Sequence, residues 1–490
     1  MRILLVSPRT PRTFWSFCHV LPFVSRRAAF PPLGLLTVAA MLPREWELRL
    51  VDLNVSRLRD EQIDWADYVF VSGMIVHADS LRRVIERCQA RKTPVVAGGP
   101  LVTGAPQNFA NVDHLVLGEA EDVMPELVAD LAAGRARRTY QCENRPDVTR
   151  SPIPRWDLLN MRQYATMSLQ FSRGCPFDCE FCDIIVMYGR VPRVKTPAQV
   201  VAELESLSAA GWRGTVFVVD DNFIGNRARV KELLRALIAW RERTRSPITF
   251  LTEASLNLVD DPELVELMVR AGFKRVFIGI ESPQEESLVE CAKGQNRRRD
   301  MVEAVRTLHQ AGIEVMGGFI LGFDHDRHDI FDKQSDFIQQ AGVVTAMVGL
   351  LTALPGTRLF TRLAREGRLQ AATTGNNVDA HVNFVPALDQ NVLVDGYRRL
   401  VKSLYSPKHY YERIRVFLRD YRPSGPRMRV RLQDVRAFLR SLWVLGVATR
   451  GRRQYWALLV RALLFHRRAF AEAMSLAIMG YHFRRVAMAL

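Results

Sequence analysis

The stretch that decides the fold is Phe171 to Ile184, FSRGCPFDCEFCDI. It sets three cysteines, Cys175, Cys179 and Cys182, at the spacing C-x3-C-x2-C. Tetrahedral metal and iron–sulfur sites usually take four protein ligands, so a triplet leaves one position to something else. One reading is a zinc site completed by a distant Cys or His. Zinc modules present ligands in paired C-x2-C or H-x3-5-H units, and the chain holds no second pair of either kind. The other reading is a cluster of four irons held by three thiolates. It leaves one iron open to a small chelating ligand, through which an electron can be delivered.

Working outward, the triplet follows the first of six strand-like runs: MSLQFS (from Met167), GTVFVVDDN (Gly214), ITFLTEAS (Ile248), RVFIGIES (Arg275), EVMGGFILGFD (Glu314) and AMVGLLTALPGT (Ala346). Helical stretches such as AQVVAELESLSAAG and VKELLRALIAWRER separate them. Six β/α units over 165–365 predict a (β/α)6 partial TIM barrel, in which chemistry sits where the strands end. The cysteine loop, Asp220-Asp221-Asn222, Glu253, Glu281, Asp324 and Pro355-Gly356-Thr357 all fall at such ends. The charge-free run Phe337 to Thr357 has the length of a membrane span. Its two glutamines and Pro-Gly pair make it a buried strand with its turn.

Residues 1–140 alternate β and α as well. Arg2–Pro8, Trp46–Val55, Tyr68–Val76, Thr93–Gly99 and Asp113–Glu119 read as five short buried strands. Strands this apolar, separated by helices, predict a doubly wound, Rossmann-like domain. Such sheets bind ligands at the carboxyl ends of their strands. The polar, proline-containing stretch NRPDVTRSPIPRWD (Asn144 to Asp157) marks a linker over 141–164, and 366–490 reads as a helical domain.

The composition, 48% apolar and 24% charged, is that of a globular protein of two or three domains. Seven cysteines, four of them scattered singly, do not form a secreted disulfide framework and favour a reducing cytoplasm. The opening MRILLVSPRTPR has too short an apolar run for a signal peptide and reads as a first strand. The net charge of +16 is uneven. Residues 411–490 carry 17 arginines and no lysine against four acids, a net of +13, so only +3 belongs to the first 410 residues. In QYWALLVRALLFHRRAF, Trp456, Val460, Leu463 and Leu464 form one apolar stripe, with Arg461 and Arg468 on another face. A helical cap on the barrel with a solvated Arg face is one reading. A peripheral contact with the inner membrane face is another. Nucleic acid is not expected, because no recognition motif accompanies the charge.

The cysteine loop, with Phe181 just before the third Cys, resembles that of the radical S-adenosylmethionine (SAM) enzymes. The resemblance covers about residues 165–360. It implies that Cys175, Cys179 and Cys182 ligate a 4Fe–4S cluster and that SAM binds the fourth iron, where reductive cleavage yields a 5′-deoxyadenosyl radical. Other positions carry over less completely. The family holds a Gly-Gly-Glu-type stretch near the SAM amino group where this chain has Asp220-Asp221-Asn222. Glu281 stands where the family contacts the ribose, with Glu253 as a polar neighbour. Gly322 and Pro355-Gly356-Thr357 match shaping residues.

The domain ahead of the barrel resembles the cobalamin-binding domain of one large radical SAM subgroup. Ser72 ends the third strand and Gly98-Gly99 the fourth, where cobalamin domains line the slot for the nucleotide tail; Met74 stands where Leu is usual. Glycine lets backbone approach a ligand, and a hydroxyl can bond a buried base. The Asp-x-His-x-x-Gly motif that supplies an axial histidine is replaced by SPRTPRTFWSF, with only His19 nearby. Cobalamin is therefore expected without a histidine ligand to cobalt.

Taken together, the chain is similar to hopanoid C-2 methylases and their relatives. That implies a cobalamin-dependent radical SAM methyltransferase acting on an unactivated carbon of a lipophilic or natural-product substrate, supplied with electrons by a flavodoxin or ferredoxin. No general acid or base is required, so no catalytic residue is assigned. A cyclase or rearrangement enzyme with the same cofactors, and a cobalamin or redox sensor without turnover, are the alternatives. The second-cluster cysteines of tRNA-methylthiolating relatives are missing.

Overall fold

A computed structural model describes all residues but 143, in the expected linker, and 372, 377 and 425–431, in the expected helical region. Its first sheet holds β1 (Arg2–Ser7), β2 (Glu47–Asp52), β3 (Tyr68–Ser72), β4 (Val95–Gly98), β5 (His114–Leu117) and β6 (Thr139–Gln141). All neighbours are parallel, in the order β2-β1-β3-β4-β5-β6. Along β1, Leu4 and Val6 pack into one core and Ile3 and Leu5 into another. Burial on both faces is why this strand is continuously apolar and not alternating. The order reverses between β1 and β3, which places the ligand crevice at their carboxyl ends.

The sequence reading expected five strands, and the structure adds β6. Its residues Thr139, Tyr140 and Gln141 are exposed, buried and exposed, so no apolar run betrays this edge strand. Tyr140 fixes it by donating its hydroxyl to Asp130 at 2.8 Å.

The second sheet contains β7 (Met167–Leu169), β10 (Thr215–Val218), β11 (Thr249–Ala254), β12 (Phe273–Glu281), β13 (Glu314–Leu321) and β14 (Ala346–Leu350). Every pairing is parallel and the strands follow in chain order, the arrangement of an open six-stranded barrel. Between β7 and β10, β8 (Ser172–Arg173) and β9 (Arg193–Val194) pair antiparallel. The run Phe337 to Thr357 divides between the end of the helix Ile330–Gln340, β14 and a turn at Gly356 with φ +82°.

Beyond the barrel, the helices Arg358–Arg365, Gln390–Leu404, Pro407–Asp420, Leu432–Trp443, Arg452–Phe465 and Phe470–Ala487 follow. Tyr397, Ile414, Phe417 and Leu476 belong to one core with the strand residues Val276, Phe319 and Val348. The helical region is thus packed onto the barrel, not tethered to it. Arg413 is fully buried in that junction and donates to the Leu404 carbonyl at 2.7 Å and to Gln339 at 2.9 Å. Among the described residues, no helix is long and apolar enough to cross a membrane.

Candidate active site

The β8–β9 pair forms the neck of the cysteine loop. Gly174 (φ +95°) and Gly189 (φ +84°) meet there. A Cβ on Gly174 would lie 2.9 Å from the Gly189 carbonyl, so the crossing admits only glycine. Cys175 N–H donates to that carbonyl at 3.1 Å. Below the neck, Asp220 accepts from the backbone N–H of Phe171 and Ser172, both at 2.8 Å, and from Ser172 Oγ at 2.6 Å. On the far side, Glu180 accepts from Arg362 at 2.8 Å, and Arg362 and Arg368 converge on Asp324 at 2.8 and 2.6 Å. Two strand-end residues of the sequence reading, Asp220 and Asp324, therefore anchor the loop.

The thiols are suited to a cluster. Asn222 Nδ2 lies 3.8 Å from Cys175 Sγ, and Gln295 Nε2 lies 3.9 Å from Cys179 Sγ, so two of the three sulfurs have a side-chain amide donor. Burial, then the charges of Asp183, Cys179 and Cys175, pushes the Cys182 thiol up to about 12. Three gathered thiols ionise only if a cationic centre takes up their charge. Their sulfurs do not converge within 4.8 Å of one another as the ligands of a single ion do. The donor set fits a multi-iron cluster better than one zinc ion. Phe181 is half-buried beside the loop, its ring 6.4 Å from that of Phe323.

Around the loop, two strand-end acids hold their protons more tightly than ordinary carboxyls do. Burial, opposed by the hydrogen bond from Gly174 N–H at 3.2 Å, pushes Asp221 up to about 6. Burial and the charges of Asp221 and Asp220 push Glu253 up to about 8. Glu281 ends β12. It sits at φ +66° beside a register shift in β12, a conformation rare for a side-chain-bearing residue. Its Oε1 meets Lys293 Nζ at 2.7 Å, both groups nearly buried. Lys293 was not singled out in the sequence, because nothing in CAKGQN marks it. Only the fold brings it to β12.

In the first domain, Ser72 and Gly98 are register partners across β3 and β4. Gly99 has φ +88°, and a Cβ there would overlap Ser72 Oγ. These three residues line one side of a cavity of about 1940 Å³ that reaches Asp183 behind the third cysteine, Asp221 and the Pro355-Gly356 turn. Met74, beside the slot, is 54% exposed. His77 also faces it, but both its ring nitrogens are engaged: Nδ1 accepts from Met74 N–H, and Nε2 lies 3.1 Å from Thr10 Oγ1. At the ends of β3 and β4 the first domain thus presents small residues and backbone, where the barrel's strand ends present acids.

A charge network joins the end of the first sheet to the β8–β9 neck of the cysteine loop. Glu119 and Glu121 follow β5, while Arg173 and Arg193 lie in β8 and β9 at the neck of the cysteine loop. Arg173 contacts Glu119 and Glu121 at 2.7 Å each, and Arg193 contacts Glu119 at 2.6 Å. Burial favours the protonated form of Glu121, but hydrogen bonds and charge from Arg173 hold it below the usual carboxylate range. Arg173 stands inside the opening stretch FSRGC, yet only the tertiary structure supplies its partners. The connection after β1 adds a second joint. Trp15 lies edge-on to Phe277 of β12 at 5.2 Å, and Phe30 lies 5.4 Å from Phe217 of β10.

Family models match in the same order as these parts: B12 binding domain over residues 22–128, radical SAM superfamily over 169–333, and a domain of unknown function (DUF4070) over 357–490. Fold and site define a radical SAM enzyme with a B12-binding domain. An uncharacterised methyltransferase of Synechocystis sp. is 43% identical over 93% of this chain and 86% of its own length. The hopanoid C-2 methylase of Rhodopseudomonas palustris is 37% identical over 94% of this chain and 89% of its own. The methyltransferase TsrM of Kitasatospora setae, solved with cobalamin and a 4Fe–4S cluster, shares the fold at a TM-score of 0.62 over the whole of both chains, with 17% identity. The chain belongs to the cobalamin-dependent radical SAM methyltransferases that include the hopanoid C-2 methylase. It is an enzyme whose cofactors are cobalamin, a 4Fe–4S cluster and SAM.

Proposed function

We propose that the chain methylates an unactivated carbon of a lipophilic, polycyclic substrate of the hopanoid kind. The observation that carries this reading is the single cavity of about 1940 Å³ between the Ser72–Gly98–Gly99 slot and the cysteine-loop end of the barrel. Pockets for one small ligand measure about 300–1,000 Å³, so there is room for two cofactors and a substrate. When bound, the cluster with SAM supplies a radical initiator and cobalamin supplies the methyl group.

The chain's own residues position and shield. Cys175, Cys179 and Cys182 hold the cluster. Phe181, Asp221, Glu253 and Glu281 would border SAM; of the four, Asp221 lines the cavity, and Glu281 is held by Lys293 at Oε1. Ser72, Gly98 and Gly99 admit cobalamin. Trp15 and Phe30 give the substrate region an aromatic, water-excluding wall. Segments 1–140 and 165–365, joined by the linker 141–164, and the following 366–490 are the corresponding working units. Electrons come from a flavodoxin or ferredoxin.

The tail supports a membrane-derived substrate in the cytoplasm. On Arg452–Phe465 the stripe Trp456, Val460, Leu463 and Leu464 is exposed, and the buried face is Tyr455, Leu458, Leu459 and Ala462. Trp443 (66%) and Phe465 (74%) are exposed beside it. Apolar side chains among arginines fit an anionic lipid surface.

Anaerobic reconstitution with cobalamin, SAM, reductant and hopanoid-bearing anionic vesicles tests the reading. Deoxyadenosine together with a methylated lipid is expected. Deoxyadenosine without methylation would move the assignment to a cyclase or rearrangement, and no cleavage under any reductant would leave a sensor. Comparative lipid profiling of a deletion strain identifies the substrate. Trp443→Ser with Phe465→Ser is expected to lower vesicle co-sedimentation without loss of cluster.

A further inference from the structure

The connection after β1 crosses to the last helix, Phe470–Ala487, and brings together residues more than 460 positions apart, as the Phe14–His482 hydrogen bond records with a separation of 468. Cys18, His19 and His482 each offer one ligand atom there, and the three atoms lie within 4.8 Å of one another. His482 is fully buried. Its Nε2 lies 3.0 Å from the Phe14 carbonyl oxygen. A carbonyl only accepts, so Nε2 carries the proton and Nδ1 the lone pair. That Nδ1 is buried without a hydrogen-bond partner. An imidazole oriented by a carbonyl on one nitrogen and free on the other is the arrangement of metal-bound histidines. Phe17 reinforces it. Its backbone is left-handed at φ +49°, and its ring lies 5.5 Å from that of His482, which turns the next two residues toward the helix.

We propose that Cys18, His19 and His482 bind one divalent transition-metal ion, zinc by the character of the donors, as a staple between the first domain and the last helix. One thiolate and two neutral imidazoles suit a borderline-soft ion, and three protein ligands leave a fourth position for water. Binding releases the Cys18 thiol proton to solvent. Arg12 and Arg485 lie close enough to His19 to repel a cation, and the Cys18 thiolate offsets that charge. Cys18 also lines the large cavity, so the ion closes one wall of it. The site shares no ligand with the Cys175–Cys179–Cys182 loop and does not depend on what that loop holds.

The test uses the reconstituted holoenzyme, whose cluster keeps the other three thiols occupied. It is equilibrated with zinc chloride, passed over chelating resin and analysed for zinc and iron. About one zinc per chain is expected to remain. Cys18→Ser and His19→Gln, both at partly exposed positions, should each lower retained zinc about tenfold or more at unchanged iron. Zinc should raise the thermal midpoint of the wild type and of neither variant. A wild type that keeps no zinc, or variants that keep most of theirs, would overturn the proposal.

Discussion

Both sheets are six-stranded and parallel, yet they build opposite kinds of site. The first reverses its order between β1 and β3 and opens a crevice there. At its β3 and β4 ends stand Ser72, Gly98 and Gly99, small residues that let a large ligand approach the backbone. The second runs β7-β10-β11-β12-β13-β14 without reversal, so its strand ends gather around one axis. Those ends carry thiols, acids and the Glu281–Lys293 pair. One sheet makes a site by removing side chains, and the other by concentrating them. A methyl carrier needs a slot, whereas a reactive cluster needs ligands and controlled charge.

The largest effect should come from breaking the side-chain-rich half. Cys179→Ala is expected to remove the cluster and lower SAM cleavage by at least about 10³-fold. Cobalamin binding should survive, since the slot proposed for it lies on the other sheet. Iron analysis and deoxyadenosine formation check this, and retained cleavage would sink the site assignment.

Next comes the joint between the sheets. Arg173→Ala leaves the buried Glu121 without its cation and Glu119 with Arg193 alone, which costs about 3–5 kcal/mol. Denaturant unfolding should show the loss, with Arg173→Lys intermediate because lysine cannot reproduce the fork. A loss below about 1 kcal/mol would mean that the network does not couple the domains.

The slot is expected to be less costly to break. Gly99→Val strains a left-handed position by about 1–3 kcal/mol and crowds Ser72 Oγ. Retained cobalamin should fall about tenfold or more at unchanged iron, the converse of Cys179→Ala. Equal loss of both cofactors would show that the two sites are not separable.

The smallest effects are pH slopes. Glu253, pushed up to about 8, keeps its proton in the folded chain where the unfolded chain has lost it. Its stabilising contribution is complete below the ordinary carboxylate range and is lost as the pH rises through about 8. His309 has the opposite sign. Burial lowers it to about 3, so its contribution is present above the ordinary imidazole range and lost as the pH falls toward 3. Thermal unfolding against pH should show Glu253→Gln flattening the neutral limb and His309→Leu the acid limb. Unchanged slopes would show that these groups are not buried as described.

The sequence carried much of this protein's chemistry. C-x3-C-x2-C is a local pattern on one loop, and the period of apolar runs marks strands whose two faces are both covered. Ser72, Gly98 and Gly99 could be placed because each ends a strand. Long-range partnership was not legible. Arg173 reads as one more charge until the fold sets Glu119 and Glu121 against it. Lys293 lies in a featureless loop until it closes on Glu281. The stripe of Arg452–Phe465 has apolar residues on two faces, and periodicity alone does not say which one the barrel covers. Local spacing determined the ligands and the strands, because cysteine geometry and backbone pleat act over a few residues. Pairing of buried charges, the outward face of the tail and the meeting of Cys18, His19 and His482 depend on surfaces brought together from 12 to more than 460 residues apart, and only the packed chain decided them.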